Sequence, residues 1–494
     1  MTAIQIDNMD NFDWELLRFP FELTDITLKY GYYRLRSDSK IKIWRNSDFK
    51  LNGTISGFFY DKKDLEYLGG NIEKGSFIKG EVIECKLDSI LLIQLRECLI
   101  HKPKCRIGRN VKEGFFEADL SLDSIVITQN TSKTSSIIID WHICSLKNLN
   151  LPRFTTRLPK LFPFKFREDF EEVPKVNAGV NSEYIHSRDY LNLWLGEYQV
   201  IIQKTPIKLL PDWASGIAIE YNDRNKKPPN TETRKAVSEF VSFIFGSHLL
   251  NIGSTHFDEN KNILGSFSYS PWGYDVKSKC NNLPLPPIDN GSLINETIIS
   301  NLLKQYMDKH LNYDFSDILW KLWIGKEQYL GTNLPILSSG LESLVDRHIE
   351  LKGLVKKYKK SEKTRYRKMV KSDIESVSSK IKEYPFLKFI VDKLNNPFSY
   401  SIREKMNLFL EDLGIVLDDE SIESKAIRAR NKMAHSSNSN FNDVEIIKLK
   451  RLSNAYITFY HRIILRILEY DGGYVDYYSY GYPIRLMGEN INSE

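Results

Sequence analysis

The stretch DVEIIKLKRLSNAYITFYHRIILRILEY, residues 443–470, decides the class of the C-terminal part of the chain. Val444, Ile447, Leu452, Tyr456, Phe459, Ile463, Ile464 and Ile467 recur at helical steps, so they share one face of an α-helix, and Asp443 stands where an N-cap is wanted. The same periodicity runs back through 419–435, 401–412, 385–394, 363–382, 334–360, 316–322 and 293–310. The last roughly 200 residues are therefore expected to be an α-helical bundle.

Upstream the pattern changes. A segment with Pro284, Pro286 and Pro287 reads as a linker, because each proline removes a backbone donor and favours extended chain. Before it, runs at 26–36, 53–60, 77–87, 124–130 and 136–144 are rich in Ile, Val, Thr and Tyr and broken by glycines, the pattern of strands in a sandwich or barrel. Pro152, Pro159 and Pro163 mark a further boundary. Beyond them, 190–202 and 215–221 read as strands and 231–249 as a helix with Val237, Phe240, Val241, Ile244, Phe245 and His248 on one face. The expected fold is α+β and multidomain, with a β-rich, β-sandwich-like domain over 1–150, a mixed α/β domain over 151–283 and an α-helical domain over 293–490.

Composition narrows the function classes. At 494 residues, with 41% hydrophobic and 27% charged residues, the chain has room for about three folded domains. Its 69 Lys and Arg against 64 Asp and Glu give only +5, so any site for a polyanion must be local. Five irregularly spaced cysteines do not form a disulfide framework. Cys85, Cys98, His101, Cys105, His142 and Cys144 lack a CxxC pair, and buried reduced thiols are expected rather than a metal site. Gly70–Ser76 imitates a phosphate loop, but Ser76 occupies the position of the required lysine, so a hairpin is expected. No cofactor is predicted. The N-terminus lacks a signal peptide and no apolar run approaches the ~18 residues of a membrane span, which points to the cytoplasm.

The chemically informative stretch is RARNKMAHSSN, residues 428–438. A neutral imidazole at His435 can take the proton of a ribose 2′-hydroxyl, and the guanidinium of Arg430 can hold a phosphate and its developing charge. Asn431 lies one helical turn before His435 and can fix its tautomer. Five residues at ~100° each, however, put Arg430 and His435 about 140° apart around an ideal helix. Either the helix end departs from ideal geometry at His435, or two copies pool their residues across a two-fold axis.

Arg430, Asn431, Ala434 and His435 resemble the RNxxAH signature of the HEPN superfamily of α-helical ribonucleases, and a long helix follows the motif as it does there. A β-rich half followed by such a bundle and a YDGGYVDYYSYG tail at 470–481 resembles the ApeA-type anti-phage proteins. The resemblance implies a metal-independent endoribonuclease working as a homodimer or higher even oligomer and leaving 2′,3′-cyclic phosphate and 5′-hydroxyl ends. It further implies abortive-infection defence, with tRNA anticodon loops as plausible substrates and a phage-encoded trigger as partner. Carried over residue by residue, His435 is base or acid, Arg430 binds the scissile phosphate and Asn431 supports the histidine.

Between Arg347 and Lys371 eleven Lys or Arg face two Glu, a local +9 interleaved with Tyr358 and Tyr366. Lys356, Lys357, Lys359, Lys360, Arg365 and Arg367 are the RNA-binding candidates within it, against the alternative of a solvated helix hairpin. The tail tyrosines either pack on the bundle or stack on bases. Glu342 either binds the motif arginine or lies on an exposed face. The rival to an enzyme is a non-catalytic sensor in which the bundle only dimerises or binds nucleotide.

Overall fold

The computed structural model describes residues 21–30, 33–34, 39–59, 82–87, 91–107, 114–129, 133–145, 151, 153–157, 185–204, 215–223, 227–260, 262–271, 295–330, 332–355, 360–381, 384, 387–395, 400–417, 420–435 and 443–491. The chain divides into two compact units, Met1–Lys304 and Gln305–Glu494.

The first unit is built on one antiparallel sheet. Its strands are β1 (Phe21–Tyr30), β2 (Tyr33–Arg34), β3 (Ser39–Arg45), β4 (Leu51–Phe59), β5 (Val82–Leu87), β6 (Leu91–Ile107), β7 (Gly114–Gln129), β8 (Ile137–Cys144), β9 (Arg153–Arg157), β10 (Ile185–Leu195), β11 (Tyr198–Lys204), β12 (Ser215–Asp223), β13 (Leu250–Phe257) and β14 (Ile263–Tyr269). Six of them close on themselves, because β4 pairs with both β3 and β7 in the cycle β1, β3, β4, β7, β6, β5. The first half of β7 faces β4, and its second half pairs with β14 and opens the ring into the order β14, β13, β8, β12, β11, β10, β9. At this fork Ser270 accepts from the Leu51 N–H at 2.8 Å and donates to the Leu122 carbonyl at 2.5 Å, satisfying both edges where the partners change. Arg45 also ties ring to sheet, donating to the carbonyls of Phe49, Tyr269 and Ile252, each at 2.6 Å.

This arrangement changes two expectations. Rather than a sandwich and a separate mixed domain with a boundary at 151, β8 lies between β12 and β13, so strands from both sides of the proline stretch share one sheet. The run 190–202 is also two strands, with Gly196 in the left-handed region (φ 61) making the turn. Every residue of β8 is buried. Ile137, Ile139, Trp141 and Ile143 pack with Phe49, Leu250, Ile252 and Phe257 on one face. On the other, helix α1 (Thr231–Phe245) lays down Val237, Phe240, Val241 and Ile244. Asn230 caps α1 by accepting from the Thr233 N–H at 2.8 Å, and Gly246 (φ 67) ends it, four residues before the expected stop.

The second unit is helical. Its elements are α2 (Glu296–Tyr313), within which the division falls, α3 (Phe315–Glu327), α4 (Asn333–Lys352), α5 (Lys360–Ser379), α6 (Leu387–Asn395), α7 (Ile402–Asp412), α8 (Ile422–His435) and α9 (Asp443–Ile467), followed by the hairpin β15 (Gly473–Val475) and β16 (Ile484–Leu486). The helices follow the sequence pattern closely, except that Gly353 (φ 62) ends α4 before the expected 360. Gly340 lets α4 approach α9: a Cβ there would meet the Tyr460 hydroxyl at 2.4 Å, and that hydroxyl is fixed by donating to the Ile318 carbonyl at 2.9 Å. Among the described residues no helix is long and apolar enough to cross a membrane.

Candidate functional site

Helix α8 begins where Ser421 accepts from the Ser424 N–H at 3.1 Å. Its first turns bury Ile422, Glu423 and Ala426. Glu423 accepts from Arg462 of α9 at 3.4 Å and from the Ile491 N–H at 3.0 Å. Arg462 in turn donates to the Met487 carbonyl at 3.1 and 2.7 Å and to Asn490 Oδ1 at 2.9 Å, with Tyr474 against its guanidinium. Burial pushes the Glu423 carboxyl up and the Arg462 guanidinium down, opposed in each case by the partner's charge. The start of α8, the middle of α9 and the C-terminal tail are thus locked by one buried ion pair.

The motif lies at the other end of α8. The helical backbone continues unbroken through Arg430 and Asn431 to His435, so the five-residue step between Arg430 and His435 is helical throughout. The side chains of Arg430, Asn431 and His435 lie outside the described residues. Arg428, two residues earlier, is exposed. The facing start of α9 differs from its periodicity: Tyr456, Phe459, Ile463, Ile464 and Ile467 are buried as expected, but Val444 and Ile447 are 75% and 61% exposed.

Of the basic candidates, Arg365 and Arg367 stand exposed on α5, with Lys363, Lys368 and Lys371 exposed beside them. Lys356, Lys357 and Lys359 lie outside the described residues, as does the side chain of Lys360, the first residue of α5. Helix α5 packs on α6, whereas α8 packs on α9 and α4, so different neighbours hold the basic helix and the motif helix. Glu342 accepts from Ser338 of its own helix at 3.0 Å. The tail divides: Tyr474 and Tyr477 are buried, while Tyr480 is 97% exposed.

A further polar constellation carries no sequence motif. The Tyr313 hydroxyl lies 2.9 Å from His348 Nδ1, and His348 Nε2 lies 2.8 Å from Asp412 Oδ2. With a neutral ring, the tyrosine donates to Nδ1 and Nε2–H donates to the carboxylate. Burial lowers the His348 pKa against the pull of Asp412, and burial pushes the Tyr313 hydroxyl up to about 12. Tyr313 borders a cavity of about 320 Å³ also lined by Asp314, Asp317, Asp346, Arg347 and Glu350. Its charges are matched: Asp317 pairs with Lys321 at 2.6 Å, Asp346 with Lys405 at 2.8 Å and Asp314 with Arg347 at 3.7 Å. Only the fold reveals this chain, since Tyr313, His348 and Asp412 are far apart in sequence.

Of the residues weighed for zinc in the first unit, the side chains of Cys85 and Cys105 lie outside the described residues. His142 Nε2 meets Ser238 Oγ at 2.9 Å, and His101 Nε2 meets Ser121 Oγ at 2.9 Å. Cys98 and Cys144 are buried, the Cys144 thiol donating to the Ser215 carbonyl at 3.7 Å, and burial pushes the Cys98 thiol up to about 12. The Gly70–Ser76 stretch lies outside the described residues. No protein-family model, curated protein or solved structure matches the chain.

Proposed function

We propose that the chain is a metal-independent endoribonuclease of the HEPN type, acting as a dimer and serving as an abortive-infection effector whose N-terminal half senses a phage-encoded trigger. The observation that carries this reading is the Arg430-Asn431-x3-His435 spacing on one unbroken helical backbone. With no departure from helical geometry, Arg430 and His435 remain about 140° apart, which favours pooling the residues of two copies over one copy acting alone. The exposed cations of α5 give the same unit sequence-independent phosphate contacts.

In this mechanism neutral His435 takes the proton from a ribose 2′-hydroxyl and the 2′-oxygen attacks the adjacent phosphorus. Arg430 balances the charge of the pentacoordinate transition state, and Asn431 holds the imidazole in its working tautomer. The bond to the 5′-oxygen breaks, His435 of the partner subunit protonates the leaving oxygen, and the products are a 2′,3′-cyclic phosphate and a 5′-hydroxyl. The test incubates the full chain with total tRNA in EDTA and maps the ends. Cleavage should persist in the chelator and fall by at least about 10²-fold in Arg430→Ala and His435→Ala with folding unchanged. Full activity in either variant, or loss with EDTA, overturns the mechanism. Binding of tRNA without cleavage would instead identify a non-catalytic sensor.

A further inference from the structure

The tail loop between β15 and β16 is held by a single buried carboxylate. Asp476 accepts from the Tyr478 N–H at 2.9 Å, the Ser479 N–H at 3.2 Å, the Ser479 hydroxyl at 2.6 Å and Arg485 Nε at 2.7 Å, and its own N–H donates to the Pro483 carbonyl at 2.9 Å. The loop is fastened along one face of α9: Asn454 donates to the Tyr477 carbonyl at 3.3 Å, Thr458 accepts from the Tyr477 N–H at 3.0 Å and Arg451 covers the Tyr478 ring at 4.4 Å. Its tip is Tyr480-Gly481-Tyr482. Tyr480 is 97% exposed and Tyr482 44% exposed, and nothing lies within 4 Å of where a Gly481 Cβ would be. Tyr482 adopts the left-handed region (φ 53), where Gly or Asn would be less strained, and its ring lies 6.0 Å from the buried Tyr477 ring.

Cations and apolar groups extend this surface. The α9 stripe beneath the loop, Arg451, Asn454 and Thr458, continues back at helical steps as Ile447, Lys448 and Val444, all exposed. Helix α8 runs antiparallel to α9, with Glu423 beside Arg462, so the motif end of α8 lies toward the start of α9 and the tail loop is fastened farther along it, at Arg451, Asn454 and Thr458.

We propose that Tyr480 and Tyr482, with Arg451 and Lys448, form a stacking platform for unpaired bases of single-stranded RNA, the rings taking bases and the cations phosphates. The exposed Tyr480 ring and the exposed part of the Tyr482 ring, on a loop fastened by these contacts, offer π-faces that tolerate any base. The choice of ligand rests on the ribonuclease reading above.

The test measures binding of the full chain to a fluorescein-labelled 2′-O-methyl 12-mer, which lacks the attacking hydroxyl and so reports binding whether or not the chain cleaves RNA. Tyr480→Ala/Tyr482→Ala should weaken binding roughly tenfold or more, since one lost stack corresponds to about 1–3 kcal/mol. Tyr480→Phe/Tyr482→Phe should remain within about twofold, because the ring and not the hydroxyl carries the contact. Arg451→Ala should reduce the salt slope, and the tyrosine variants should leave it unchanged. Wild-type affinity in the double alanine variant, no binding by the unaltered chain, or a different number of subunits per particle in the alanine variant overturns the platform, the last by assigning the surface to a second copy. Binding that behaves as expected while natural tRNA stays intact removes the ribonuclease reading and keeps the platform.

Discussion

In the sheet unit buried polar groups face one another beneath α1, Asp140 with Arg234 and His142 with Ser238, whereas in the helical unit the buried Glu423–Arg462 pair and other buried polar groups also fasten flanking segments, Arg462 to Met487 and Asn490, His348 to Asp412, Asp476 to Arg485. The first arrangement fixes how a helix sits on a sheet. The second fastens terminal and surface segments onto helices. Titration therefore acts on the core of the first unit, and in the second on the buried His461 of α9 as well as on the attachments.

The largest expected effect tests the sheet unit with acid. Burial lowers the pKa of His142 to about 3 and of His248 and His256 to about 4, from an ordinary 6.5. Each folded value lies below the unfolded one, so the stability of the neutral rings is complete above about pH 6.5 and is lost as the pH falls toward 4 and 3. Asp140, pushed by burial up to about 6 against the pull of Arg234, has the opposite sign between about pH 4 and 6 and offsets part of this. The net loss should be on the order of several kcal/mol, seen as falling hydrogen-exchange protection of β8 and α1 between pH 7 and pH 4. Full protection at pH 4 would break the comparison.

Next in size, Arg462→Ala should destabilise the helical unit by about 3–5 kcal/mol, because it strands Glu423 in the interior. Urea titration measures the loss, and proteolysis of the tail near Met487 should accelerate with it. Asp412→Asn should destabilise by about 1–2 kcal/mol through the weakened His348 contact, with a thermal shift that grows as the pH is lowered through the histidine range, because Asp412 holds the His348 pKa up against burial. Smallest, Val444→Ser and Ile447→Ser should change stability by no more than about 0.5 kcal/mol, since these positions are already in solvent. A large loss at either would place a cover over the start of α9.

The division into a strand-rich half and a helical half was legible, because period and β-branched content are local properties of the chain. Two helix ends were read too late, at 249 and 360, because Gly246 and Gly353 in the left-handed region stop the helices earlier. Pairing was not legible. LNIGSTHF and ILGSFSY, the strands β13 and β14, are too rich in Gly and Ser to stand out, yet they complete the sheet between β7 and β8. Pro103 falls inside β6 at a register shift between His101 and Lys104, where a missing donor is tolerated. The motif was readable as a spacing. The Glu423–Arg462 lock that holds its helix joins positions 39 residues apart and shows only in the fold.

The place of β8 in the sheet has a consequence for synthesis. Both its neighbours, β12 and β13, follow it in the chain, and the nearer begins 71 residues later. At about 5–20 residues per second, IIIDWHIC waits roughly 4–14 s on the ribosome with both edges unpaired. During that interval a strand that is buried along its whole length in the finished protein is open to pairing with other chains, and a nascent-chain chaperone that binds apolar strands would find its site there.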